Sequence, residues 1–140
     1  MNTLKMIGRN KPLFEADIAK NNKELEYIIK RSRFLVIGGA GSIGQALTLE
    51  LFKRKPLKLH VVDISENNLV ELVRTIRSTL GYVDGEFKTF AVDCGSLEYE
   101  ALFSQEGDYD FIFNFSAMKH VRSEKDPFTL MRLINTNIFN

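Results

Sequence analysis

A chain of 140 residues with 44% hydrophobic and 26% charged side chains has room for one domain with a real core. Nineteen basic against eighteen acidic residues leave a net charge of +1, which argues against a binder of nucleic-acid backbone and against an acidic solvating tail. No apolar run approaches the roughly 18 residues of a membrane span, and the N-terminus lacks the apolar core of a secretory signal. A cytoplasmic protein with no membrane span and no nucleic-acid partner is therefore expected. The single cysteine, Cys94, excludes an intramolecular disulfide, in keeping with a reducing compartment.

Residues 1–33 read as a polar, helical N-terminal extension. Phe14, Ile18, Leu25, Ile28 and Ile29 recur at helix-like spacings among Lys, Glu and Asn, as in an amphipathic helix packed on the domain or on a partner subunit of a homo-oligomer. The basic cluster Lys30-Arg31-Arg33 reads as a solvated lead-in.

From residue 34 to 140 the order of elements alternates. Phe34 to Ile37 is a short, β-rich apolar run bounded by glycine, as a strand buried on both faces should be. A glycine-rich turn follows, and then a helix with Leu47, Leu51 and Ile43 on one face. Strand two runs from Lys58 to Asp63. The next helix keeps a 3.6-residue period through Leu69, Leu72, Val73, Ile76 and Leu80, with Ser65 placed to cap it and Gly81 to stop it. Strand three is Phe87 to Val92, a short helix spans about Leu97 to Phe103, and strand four is Asp110 to Phe115. Pro127 suits the first turn of a last helix through Leu130, Leu133, Ile134 and Ile138. Such alternation predicts an α/β, Rossmann-type, doubly wound parallel sheet in the order 3-2-1-4, incomplete because further strands would normally follow the fourth.

The turn after strand one carries the clearest chemistry. Gly39-x-Gly41-x-x-Gly44 fits the G-x-G-x-x-G dinucleotide fingerprint, and Gly38-x-x-Gly41-x-x-Gly44 fits the form found in short-chain dehydrogenases/reductases. Close approach of backbone to a pyrophosphate leaves no room for Cβ atoms, and the following helix turns its free N–H groups toward the phosphates. Four glycines in seven residues can also be a tight structural turn. The context favours the cradle, because Asp63 closes strand two nineteen residues beyond Gly44, near the offset at which an acid meets the ribose hydroxyls. That carboxylate, with no arginine in Asp63-Ile64-Ser65-Glu66, favours NAD over NADP.

Ligands of such sheets bind at the carboxyl ends of the strands. Asp93 there either accepts from an adenine amino group or merely begins the next turn. Cys94 reads as a packing residue or a backbone contact to adenine rather than a nucleophile. Ser116-Ala117 leaves space for a cofactor or is a simple strand exit. Lys119 and His120 could meet ribose hydroxyls or a substrate diphosphate, although such a pair more often faces solvent. His60 reads as a satisfied core or edge histidine, and no metal site is predicted.

Taken together, Gly38 to Gly44, Val62-Asp63-Ile64-Ser65-Glu66-Asn67-Asn68-Leu69, Ser116-Ala117-Met118-Lys119-His120-Val121 with Glu124, Asp126-Pro127-Phe128 and Asn135-Thr136-Asn137 resemble extended short-chain dehydrogenases of the polysaccharide-biosynthesis type. These are the UDP-N-acetylglucosamine 4,6-dehydratases and their relatives, and the likeness covers Arg33 to Asn140. The resemblance implies that Gly38, Gly41 and Gly44 form the pyrophosphate loop, with Ser42 and Ile43 lending backbone N–H groups. It places Asp63 and Ser65 on the adenosine ribose, Asp93 and Cys94 beside the adenine, and Ser116, Ala117 and Lys119 on the nicotinamide-side ribose. Asn137 would help order the active site; His120, on its position alone, is the candidate contact to the diphosphate of a UDP-sugar substrate. Ile37 departs from the pattern, since many relatives have Thr there. The resemblance also implies that the proton-transferring residues lie beyond Asn140, so that this chain is the cofactor-binding part of a longer enzyme. A non-catalytic dinucleotide-binding module and a nucleotide-sugar epimerase are the alternative readings.

Overall fold

The computed structural model describes residues 3–82, 84–118 and 126–139. Four strands, β1 (Arg33–Ile37), β2 (Lys58–Asp63), β3 (Glu86–Ala91) and β4 (Phe111–Asn114), form one parallel sheet in the order β3-β2-β1-β4. Two helices precede the sheet, α1 (Thr3–Met6) and α2 (Glu15–Lys30). The crossovers are α3 (Ser42–Lys53), α4 (Glu66–Thr79) and α5 (Leu97–Glu106), and α6 (Pro127–Ile134) follows β4. The sheet is the doubly wound Rossmann-type arrangement with the expected strand order, and the strand bounds differ from the expected ones by a residue at a few ends.

β1 lies between β2 and β4, and its apolar run is split between the two faces by the period of two. Phe34 and Val36 join Leu51 and Phe52 of α3 and Leu69, Leu72 and Ile76 of α4 in the larger core. Leu35 and Ile37 join Val62, with Tyr99 and Leu102 of α5 packed over them. Burying an apolar side chain contributes roughly 1.5–3 kcal/mol, so four from one strand are comparable with the ~5–15 kcal/mol net stability of a domain.

Local signals fix α4. Ser65 Oγ accepts from Asn68 N (3.4 Å) at its start, and Gly81 takes φ +73° just past its end, where a side chain would be strained. Ile43 departs from expectation. It is exposed rather than on the buried face of α3, which is built from Thr48, Leu51 and Phe52. Arg33 is likewise no solvated lead-in. Its backbone N–H and its guanidinium both donate to Asp110 (2.8 and 3.1 Å), and it also pairs with Asp108, clasping the start of β1 to the start of β4.

His60 is fully buried on β2 and satisfied at both ring nitrogens. Nδ1 lies 2.8 Å from the Tyr109 hydroxyl and Nε2 lies 2.8 Å from Glu86 Oε1. A carboxylate only accepts, so this pairing assigns the proton to Nε2 and makes Nδ1 the acceptor of the Tyr109 O–H. Glu106 completes a cluster with His60 and Glu86 whose ligand-type atoms lie within 4.8 Å of one another. Lys88 Nζ sits 2.8 Å from Glu86 and 3.1 Å from Glu106, and Lys58 Nζ sits 3.6 Å from Glu106. The two ammonium groups already supply the positive charge that these carboxylates need.

Candidate functional site: the glycine loop and the strand exits

The four glycines after β1 have different neighbours. Gly38 has φ +69°, and a Cβ there would stand 2.8 Å from the Phe115 carbonyl carbon and from Ser116 N. A Cβ on Gly39 would collide with the Val61 side chain, and one on Gly44 with the Gly38 carbonyl oxygen. Gly41 is unlike these. Its backbone is extended (φ −71°, ψ 167°) and a Cβ would meet only Gly38 O at 3.4 Å, an ordinary contact. The protein's own packing demands glycine at 38, 39 and 44. At 41 it leaves open space at the head of α3, which fits the approach of a pyrophosphate.

The loop's N–H groups divide in the same way. Gly38 N and Gly39 N donate to Val62 O (2.8 and 3.2 Å), Ala40 N to Asp63 Oδ2 (3.0 Å), Gly41 N to Gly38 O (3.2 Å) and Gln45 N to Gly41 O (2.7 Å). Among the described residues no protein group accepts from Ser42 N, Ile43 N or Gly44 N, and Gly41 offers no side-chain cap. Three adjacent donors at the positive end of a twelve-residue helix are the arrangement that receives an anion. A dinucleotide's pyrophosphate suits both the donors and the space above Gly41.

Around this loop the exits of all four strands are tied together. Asp63 braces the loop to β2, with Oδ2 accepting from Ala40 N and Oδ1 from Ser65 N (2.9 Å). Asp93 begins the turn after β3, its Oδ1 accepting from Gly95 N at 3.0 Å. The half-buried Cys94 donates from Sγ to Ser116 Oγ (3.6 Å), so the β3 exit reaches across to the β4 exit. Ala117 is exposed beside it. Asn137 brackets the Met118 peptide, Oδ1 accepting from its N–H and Nδ2 donating to its C=O, both at 2.8 Å. Lys119 and His120 lie outside the described residues.

Two supports have no counterpart among the residues singled out from the sequence. Thr48, fully buried on α3, donates from Oγ1 to Gly39 O (3.4 Å) and holds the helix to the loop. Asn114 Oδ1 accepts from both Ser116 N (2.9 Å) and Ser116 Oγ (2.6 Å), shaping the β4 exit. A polar residue one turn beyond the last glycine, and an asparagine closing an otherwise apolar strand, were the available signals.

Fold and loop together define a Rossmann-like α/β domain. A family model described as "Polysaccharide biosynthesis protein" matches residues 34–140, and the chain belongs to that family. It is 29% identical over 117 residues to an uncharacterized membrane protein of Methanocaldococcus jannaschii, covering 83% of this chain and 32% of that protein. Among solved structures it is similar to Pen from Bacillus thuringiensis, with 28% identity, a TM-score of 0.65, and coverage of 79% of this chain and 32% of that one. Levodione reductase shares the fold, with 19% identity, a TM-score of 0.61, and coverage of 79% of this chain and 44% of that one. The chain thus spans about a third of the first two relatives. Among the described residues no helix is long and apolar enough to cross a membrane.

Proposed function

We propose that this chain is the NAD-binding part of a nucleotide-sugar 4,6-dehydratase of the UDP-N-acetylglucosamine type, working in surface-polysaccharide or glycan biosynthesis. The observation that carries the reading is Gly41. It is a glycine that the protein's own packing does not require, standing over three N–H donors without protein acceptors.

On this reading Ser42, Ile43 and Gly44 donate to the pyrophosphate, and Gly38, Gly39 and Gly44 keep the loop tight enough to present them. Asp63 and Ser65 hold the adenosine ribose. Because both Asp63 oxygens already accept from backbone, the carboxylate is fixed in place and repels a 2′-phosphate, which favours NAD over NADP. Asp93 and Cys94 border the adenine, and Ser116, Ala117 and Lys119 border the nicotinamide ribose, with Asn137 holding the Met118 peptide in register. His120 faces the UDP-sugar. When bound, the nicotinamide supplies reversible hydride transfer, while this chain binds, orients and excludes water around it.

Titration calorimetry of the 140-residue chain with NAD and NADP tests the assignment. NAD binding in preference to NADP, abolished in a folded Gly41→Val variant, is expected. Equal NAD affinity in Gly41→Val overturns the cradle, and tighter NADP binding overturns the role given to Asp63. In the protein extended to its relatives' length, conversion of UDP-N-acetylglucosamine to a 4-keto-6-deoxy product is the outcome expected for the dehydratase reading, and epimerised sugar would replace it with the epimerase.

A further inference from the structure

Within α2 only Ile29 is buried. Phe14, Ile18, Asn21, Leu25 and Ile28 are separated by four, three, four and three residues, the spacing of a coiled-coil seam rather than of the wider face a helix lays on a globular core. All five line a single open groove of about 470 Å³, flanked by Asp17 and Glu24. The helix is anchored just beside this seam. Ile29 packs into the larger core, Ser32 Oγ donates to Ile28 O (2.7 Å) and Leu57 N donates to Ser32 O (3.1 Å). α2 is therefore already formed and held with its seam outward, so association need not supply the entropy of ordering it.

We propose that this seam joins two copies of the chain as an antiparallel pair of α2 helices. The charges beside the seam choose the direction. Asp17, Glu24 and Arg31 recur every seven residues along one flank, and Glu15, Asn22 and Ile29 along the other. In a parallel pair the first flank of one helix meets the second flank of its neighbour, setting Asp17 against Asn22 and Glu24 against Ile29, with no charge matched. In an antiparallel pair like flanks meet. Asp17 then faces the partner's Arg31, twice by symmetry, while Ile18 packs against the partner's Ile28. Arg31 is presented from the ring of Tyr27, with its guanidinium carbon 4.2 Å from the ring centroid and Nη1 donating to the hydroxyl at 2.8 Å. Glu24 meets its own copy at the two-fold axis, a repulsion that keeps the pair weak. Asn21, whose Nδ2 donates to Asp17 O (2.9 Å), is the polar seam residue that disfavours other registers.

Sedimentation equilibrium of the full chain at low and high salt tests the proposal. The expected result is a dimer that weakens with salt, and that weakens at least about tenfold in Asp17→Arg or Arg31→Asp. The double variant should return to within about threefold of the parent, because the pair is restored with its signs exchanged. Glu24→Gln should tighten the dimer, which is a separate readout should a charge reversal unfold α2, as far-UV circular dichroism would show. A monomer, or association indifferent to folded Asp17→Arg, overturns the proposal. A folded double variant that fails to recover does so too, and so does Glu24→Gln that leaves affinity unchanged or weaker.

Discussion

The glycines after β1 illustrate how one motif divides into separate physical tasks. A Cβ on Gly44 would run into the Gly38 carbonyl oxygen, backbone that cannot swing aside. Gly44→Ala should therefore cost about 1–3 kcal/mol, whereas Gly41→Ala should leave stability within about 0.5 kcal/mol and weaken NAD. Thermal melts and titrations of the two variants check this, and equal destabilisation would refute the division. The motif was legible in the sequence, but its division was not, because the deciding neighbours are Val61, Phe115 and Ser116, brought to the loop only by folding. His60 makes the same point. Burial lowers its pKa against the upward pull of Glu86, so the stability of the neutral ring is fully present above its unfolded value near 6.5 and is lost as pH falls from there. Lys88 first, and then His60, hold Glu86 at about 2 rather than 4.5, and its contribution is lost between those values on further acidification. The melting temperature should fall in two stages below neutrality, and His60→Leu should flatten the first stage. An unchanged slope between pH 6.5 and 5 in that variant would place the proton uptake elsewhere.

At the scale of elements, the readable parts were those with local causes. α4 announces itself by Ser65, by its apolar period and by Gly81, β1 by an unbroken apolar run between turn residues, and β2 by an apolar run interrupted only by Lys58 and His60. The region after β4 was less legible. Asp126 caps α6 as its side chain accepts from Thr129 N at 2.8 Å, yet the helix does not continue to its expected end. It gives way at Asn135–Phe139 to a wider, π-type turn, and within that turn Asn137 reaches the Met118 peptide. No pattern of apolar residues announces a contact between side chain and backbone nineteen positions apart. Asn137→Ala removes two hydrogen bonds worth about 1 kcal/mol each. It should make the 114–118 segment readily cut in limited proteolysis and reduce NAD affinity, while α4 and the β2–β3 pair stay resistant. Unaltered cleavage would mean that the clamp does not order the strand exit.

For the molecule as a whole, the uneven covering of the two faces decides how it behaves in solution. α3 and α4 cover one face, where Phe111 at the β4 edge is still 41% exposed beside Phe34, and α5 reaches the other only over β2, β3 and part of β1, leaving Ile112 49% exposed on β4. None of α6 is buried. Among the described residues no strand pairs with the outer side of β4, and an apolar edge of this kind recruits other chains without limit. At concentrations well above those at which the α2-linked dimer forms, light scattering of the 140-residue chain should show further, slower association that is suppressed by Ile112→Lys, a charge on the open edge strand; persistence in that variant would exonerate the edge. The clasp between Arg33 and Asp110 has a consequence in time. β1 meets β2 across 25 residues but meets β4 across 77, and closing the longer loop costs about 1 kcal/mol more in chain entropy. The β1–α3–β2 unit should then form first, with β4 zipping on afterwards to one neighbour alone. Native-state hydrogen exchange should release the β4 amides that donate to β1 through a partial opening well below the global unfolding energy, while those of Val36 and Val61 wait for the whole chain to come apart.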